Sequence, residues 1–227
     1  MLLASGAAYC MERPTKKAKT TQKTDYPAHK TEPFPAWKWE VDRAIQAGDT
    51  QKFAALVKKH NITDQTFISC LPGLALIALG PVRTRVAMAT ILLDNSAHVD
   101  QTSPEPIAGS TTALGWACVE GDDKFAKFLI ARGAKIRQPD QVKRHPLTLA
   151  LKYHPDNVAL IKTVMQGAHP QNSLPTVIAN TKEHFRNEPR EAKNTESRKY
   201  SAILKQLRLL DTYQQEIENS RSTRDVQ

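Results

Sequence analysis

The chain has 227 residues, of which 40% are hydrophobic and 6% aromatic, and its formal net charge is +9. That length accommodates one elongated domain or two small ones, and no run reaches the roughly 18 consecutive apolar residues of a membrane helix. The basic excess favours an acidic partner surface, while Cys10, Cys70 and Cys118 lack C-x-x-C spacing and read as free thiols of a reducing compartment.

Residues 1–36 are expected to form a flexible basic arm. The opening MLLASGAAYC is apolar but lacks the basic lead of a secretory signal, and from residue 12 the chain is rich in Lys, Thr and Pro without periodicity. Lys16, Lys17 and Lys19, following Pro14, match the K-K-x-K pattern of a nuclear localisation signal. An import receptor would hold such a peptide by its aliphatic stems and its charges, and a solvated basic arm explains the pattern equally. Trp37 and Trp39 sit beside Pro33 and Pro35. They read as an apolar cover over the first helix, with ligand contact as the alternative.

Residues 37–179 run through short helical patterns. In VDRAIQAGDTQKFAALVKKH (41–60), Val41, Ala44, Leu56 and Val57 keep helix spacing on either side of Gly48. Residues 71–100 are looser, and Gly80-Pro81 predicts a longer turn between two helices. Residues 111–133 show the unit most clearly. Leu114, Ala117 and Cys118 form a narrow stripe of mostly small residues, and Gly121 ends the helix. Asp122 and Asp123 favour the next helix start, Phe125, Phe128 and Leu129 line its face, and Gly133 closes it. Ala126 and Ile130 edge that face. Residues 145–168 repeat the order with Leu147, Ala150, Val158, Ile161 and Gly167. Helices this short are marginal alone, and each hairpin leaves two flanks bare, so the units are expected to stack.

These residues carry a family likeness. TALG (112–115) stands for a Thr-Pro-Leu-His turn, Gly121-Asp122 for Gly-His, RGAKI for the unit exit, and Pro146-Leu147 for Pro-Leu in the next unit. The sequence resembles an ankyrin-repeat protein, specifically over 107–168 and more loosely over 37–106. The resemblance implies an all-α fold: an ankyrin-repeat solenoid of about four helix pairs with short hairpin loops. Gly115 and Thr148 replace the turn histidine, so irregular and individually weak repeats are expected.

Residues 180–227 read as a polar linker followed by a C-terminal helix with a frayed end. Ile203, Leu207, Leu210 and Ile217 would lie along one face of that helix. It serves either as a cap over the last repeat or, paired with NSLPTVIANTKEHF, as half of a fifth unit.

The sequence contains no Gly-rich phosphate loop, nucleophile elbow or H-E-x-x-H pair, and its seven histidines are scattered. Cys118 and Trp116 read as core, and His154 as part of a tight turn. No catalytic centre, metal or cofactor is expected. The family resemblance implies a non-catalytic protein-interaction module, an adaptor or an effector delivered into a eukaryotic host cell, acting in cytoplasm or nucleus. Its partner would occupy the concave face, which selects Val119 and Glu120 in the third unit and Gln141, Val142, Arg144, Lys152 and Tyr153 in the fourth. Arg144 and Tyr153 have the chemistry of interface anchors for an acidic segment. The alternative is a basic nucleic-acid-associated regulator, using Lys135, Arg137, Lys143 and Arg144 in a loop without aromatics to stack bases. No membrane partner is expected.

Overall fold

A computed structural model describes residues 35–63, 72–102, 111–137, 139–140, 144–167, 173–187 and 197–222. These residues form ten helices, and no strand occurs among them. In chain order they are α1 (Ala36–Ala47), α2 (Thr50–His60), α3 (Gly73–Leu79), α4 (Val82–Asp94) and α5 (Ala113–Glu120). They continue with α6 (Asp123–Ala131), α7 (Pro146–Tyr153), α8 (Val158–Gln166), α9 (Ser173–Arg186) and α10 (Ser197–Ser222).

Local chemistry sets several of the helix ends. Gly48 and Gly121 take positive φ, 69° and 76°, where they stop α1 and α5. A side-chain oxygen of Asp49, Asp122 or Asn157 then accepts the backbone N–H three residues on, from Lys52, Phe125 or Leu160, and starts the second helix. Thr112 caps α5 in the same way by accepting from Gly115 N–H at 3.2 Å.

The helices pack as two rows. The odd-numbered helices α1, α3, α5, α7 and α9 touch in succession, as do the even-numbered α2, α4, α6, α8 and α10, and each odd helix meets the even one that follows it. The core runs along the seam between the rows, from Val41, Ile45 and Phe53 through Leu114, Ala117, Cys118, Phe125 and Leu129 to Leu147, Ile161 and Val164. Polar links join neighbouring pairs across 33 to 38 residues of chain. Asn95 Nδ2 donates to Ile62 O 33 residues away, Arg85 to Asp122 across 37, and Arg132 to Asp94 across 38. Lys135 N–H reaches Asp100 across 35, and Thr148 pairs with Thr181 across 33.

Several expectations change. The described chain has five helix pairs, not about four: α9 extends the odd row and α10 the even row, so α10 is half of a pair instead of a lone cap. The boundary expected at 180 falls inside α9, because Thr181 and Phe185 are buried against the neighbouring helices despite the polar sequence around them. On α10, Ile203, Leu210 and Ile217 are buried as expected, Leu207 only partly, and Gln206 and Tyr213 join them. Val158 is exposed, since it sits in the first turn of α8 and the neighbouring Leu160 and Ile161 face the core in its place.

Gly115 and Thr148, which the resemblance reads as replacing a turn histidine, each have a local role. A side chain at Gly115 would place its Cβ 2.8–2.9 Å from the Thr111 Cγ2 and Cβ atoms, so Thr111 fills that space. In the next unit Thr148 uses its hydroxyl on Thr181 Oγ1, 3.0 Å away and buried.

Candidate partner-binding surface

α5 packs on α7 and α7 on α9, and the bonds of His154 to Val119 O and of Thr148 to Thr181 set the C-terminal turns of these three helices side by side. Val119 and Glu120 end α5, and Lys152 and Tyr153 end α7. A polar clamp ties these two ends together. His154 Nε2 lies 2.7 Å from Val119 O, so that nitrogen carries the proton, and Asn157 Nδ2 donates to Gly121 O at 3.0 Å. The His154 ring lies close over Gly121. A Cβ there would approach the ring to 2.8–2.9 Å, which is a second reason, besides its positive φ, for glycine at that turn. His154 was legible in the sequence only as a turn residue; its reach to a carbonyl 35 residues away belongs to the stacking.

A second clamp lies one unit earlier. Arg85 is buried, donates from Nε to Gly80 O at 2.9 Å and from Nη1 to Asp122 Oδ2 at 2.8 Å, and has Nη2 3.7 Å from Glu120. Asp122 thus caps α6 with one oxygen and holds Arg85 with the other.

The seven residues expected to contact a partner divide. Tyr153 is 38% exposed and Lys152 half-buried at the surface, side by side on the last turn of α7. Val119 is partly buried against the core, and Glu120 is exposed but paired to Arg85. Gln141 and Val142 lie outside the described residues, as do Lys16, Lys17, Lys19 and Lys143.

Arg144 requires a correction. Its Nε and backbone N–H both donate to the Asp140 carboxylate at 2.7 Å, Asp140 N–H returns a bond to Arg144 O at 2.8 Å, and the Arg144 side chain is only 16% exposed. It closes a loop instead of presenting a guanidinium. It also precedes α7, whereas Lys152 and Tyr153 end that helix, about 12 Å away at 1.5 Å per residue over eight residues. The three residues therefore do not converge on one spot. The same pairing leaves Lys135 and Arg137 as the exposed cations described in that loop.

Trp37 stacks on His60 with ring centroids 4.9 Å apart, whereas Trp39 is half-exposed. Trp116 is half-buried against the core, and its Nε1 is buried without a hydrogen-bond partner. Cys118 is fully buried, which pushes its thiol away from the thiolate form a nucleophile needs. Among the described residues no three His, Cys, Asp or Glu side chains gather as a metal site, and no helix is long and apolar enough to cross a membrane.

No protein-family model matches the chain, and no curated protein is significantly similar to it.

Proposed function

We propose that the chain is a protein-interaction module of the ankyrin-like kind, which engages its partner along the row of odd-helix C-terminal turns. The observation that carries the reading is the clamp of His154 and Asn157 on the α5 turn, which holds an exposed Tyr153 and its neighbour Lys152 in fixed relation to Val119 and Glu120. A recognition surface made of short helix ends needs such pre-organisation, because every side chain ordered on binding subtracts from affinity. Tyrosine suits the role: a large amphipathic ring with few rotatable bonds. Repeated helix pairs supply the extended frame on which such ends line up.

Affinity capture from eukaryotic lysate tests the reading, with Tyr153→Ala and Lys152→Glu chains beside the parent. Tyr153→Ala should weaken a specific partner by on the order of 2 kcal/mol with little salt dependence. Lys152→Glu should weaken an acidic partner most at low salt. A partner held equally by all three chains would remove this surface from consideration.

A further inference from the structure

The row of helix ends continues into the fifth pair. Thr148 opposite Thr181 sets α9 against α7 with a shift of 33 residues, so Arg186 occupies the place in its unit that Tyr153 has in the fourth. Beyond it, an open groove of about 450 Å³ runs between α9 and α10. Its floor is apolar: Phe185 is buried, Leu207 half-buried and Leu204 39% exposed. Its rim is mainly basic, with Lys182 and Arg186 on α9 and Arg208 on α10. Among the described lining residues the carboxylate is Asp211, which takes a bond from Lys182 at 2.7 Å.

We propose that this groove binds an acidic peptide of a partner protein, one that places an apolar side chain on Leu204 and Leu207 and carboxylates beside Arg186 and Arg208. The proposal rests on the protein-interaction reading above and adds a site and a ligand chemistry to it. The size fits, since clefts that take ligands run to about 300–1,000 Å³. The charge fits an acidic occupant, because guanidinium groups match carboxylates in plane and in hydrogen-bond number.

The rival occupants fit less well. Residues 188–196, which join α9 to α10, include no apolar residue larger than Pro189 and Ala192, so they supply no anchor for the floor. The segment 1–34 carries six Lys and Arg against three Asp and Glu, and the basic rim would repel it. A second copy docking through the same groove would bring two mainly basic rims together. Nucleic acid would want exposed rings for its bases, and the aromatic among the groove's described lining residues, Phe185, is buried.

The Lys182–Asp211 pair gives a test with a gain as well as a loss. An incoming carboxylate competes with Asp211 for Lys182, so Asp211→Asn should tighten binding while most damage to a site would weaken it. The probe is a short fluorescein-labelled peptide of alternating Glu pairs and Leu, titrated with the full chain and followed by anisotropy. Arg208→Glu and Leu204→Gln should each weaken it on the order of tenfold, and Asp211→Asn should tighten it severalfold. Glu218→Gln, two turns further along α10, should change it little. Four results overturn the proposal: no saturable binding, equal binding of a peptide with Ser in place of Leu, displacement by random-sequence single-stranded DNA, or self-association abolished by the same variants. If the peptide fails while Tyr153 still governs capture of a partner, the groove falls and the interaction reading stands.

Discussion

Arg85 offers the sharpest test of how the stack is held together. Its guanidinium and the Asp122 carboxylate are 5% and 8% exposed, 2.8 Å apart, and they join the second helix pair to the third. Removing one member of a buried pair leaves the other desolvated and uncompensated, at a cost of about 3–5 kcal/mol. Arg85→Met keeps the aliphatic stem, so the loss should come from the stranded Asp122 and from the bond to Gly80 O. Asp122→Asn retains the cap on Phe125 N–H, because Asn caps helices about as well as Asp, and isolates the loss of charge; it should cost about 2–3 kcal/mol. The double variant buries neither charge, so its cost should resemble that of one single variant, leaving a coupling energy of at least about 2 kcal/mol. Glu120, 39% exposed and 3.7 Å away, contributes little to this sum. Urea unfolding followed by far-ultraviolet circular dichroism gives the totals. Tryptophan fluorescence adds the order of events, because Trp37 and Trp39 report the first pair and Trp116 the third. In Arg85→Met the two signals should separate as the pairs uncouple. Purely additive single-variant losses, or losses near zero, would refute the clamp.

Two further predictions concern the odd helices. Gly115→Ala should destabilise by on the order of 2 kcal/mol, because Thr111 already occupies the space for a Cβ, and Thr111→Gly in the same chain should recover part of the loss in a urea melt. Asp42 is buried on α1 with Oδ1 lacking a partner, and burial, partly offset by the nearby Lys38 charge, pushes its carboxyl up to about 6. The folded state therefore favours protonated Asp42: that stability is present below about pH 4 and is lost as pH rises through 6, so Asp42→Asn should be the more stable chain above pH 6 by about 3 kcal/mol and match the parent near pH 4. His145 titrates in the opposite sense, because burial holds its pKa down and charging it at low pH costs stability; a His145→Gln background separates the two.

What the sequence revealed was whatever short-range chemistry decides. Gly48, Gly121 and the Asp122 cap follow from backbone conformations and hydrogen bonds within a few residues, and the apolar spacing of Leu114 to Leu129 appears as a buried face. The fifth pair was ambiguous because α9 reads as polar, and Thr181 and Phe185 become core only once α7 and α10 close over them. The Arg85 clamp leaves no mark in the sequence, and Arg144 reads as an interface anchor, for a related reason. A guanidinium reads as surface until a carboxylate is brought to it, and Asp122 arrives at Arg85 from 37 residues away. That bears directly on function, because each such pair removes one charge of either sign from the surface: the formal +9 is unchanged, but which cations a partner meets is not. Arg85 and Arg144 are neutralised inside the stack by Asp122 and Asp140, so neither they nor those carboxylates project a field outward. A uniformly basic surface would attract any polyanion. A surface whose cations are partly consumed by its own folding, and which sets Arg208 beside exposed Leu204, would on the groove proposal demand an apolar contact in addition to negative charge, and that double requirement would separate a peptide ligand from a phosphate backbone.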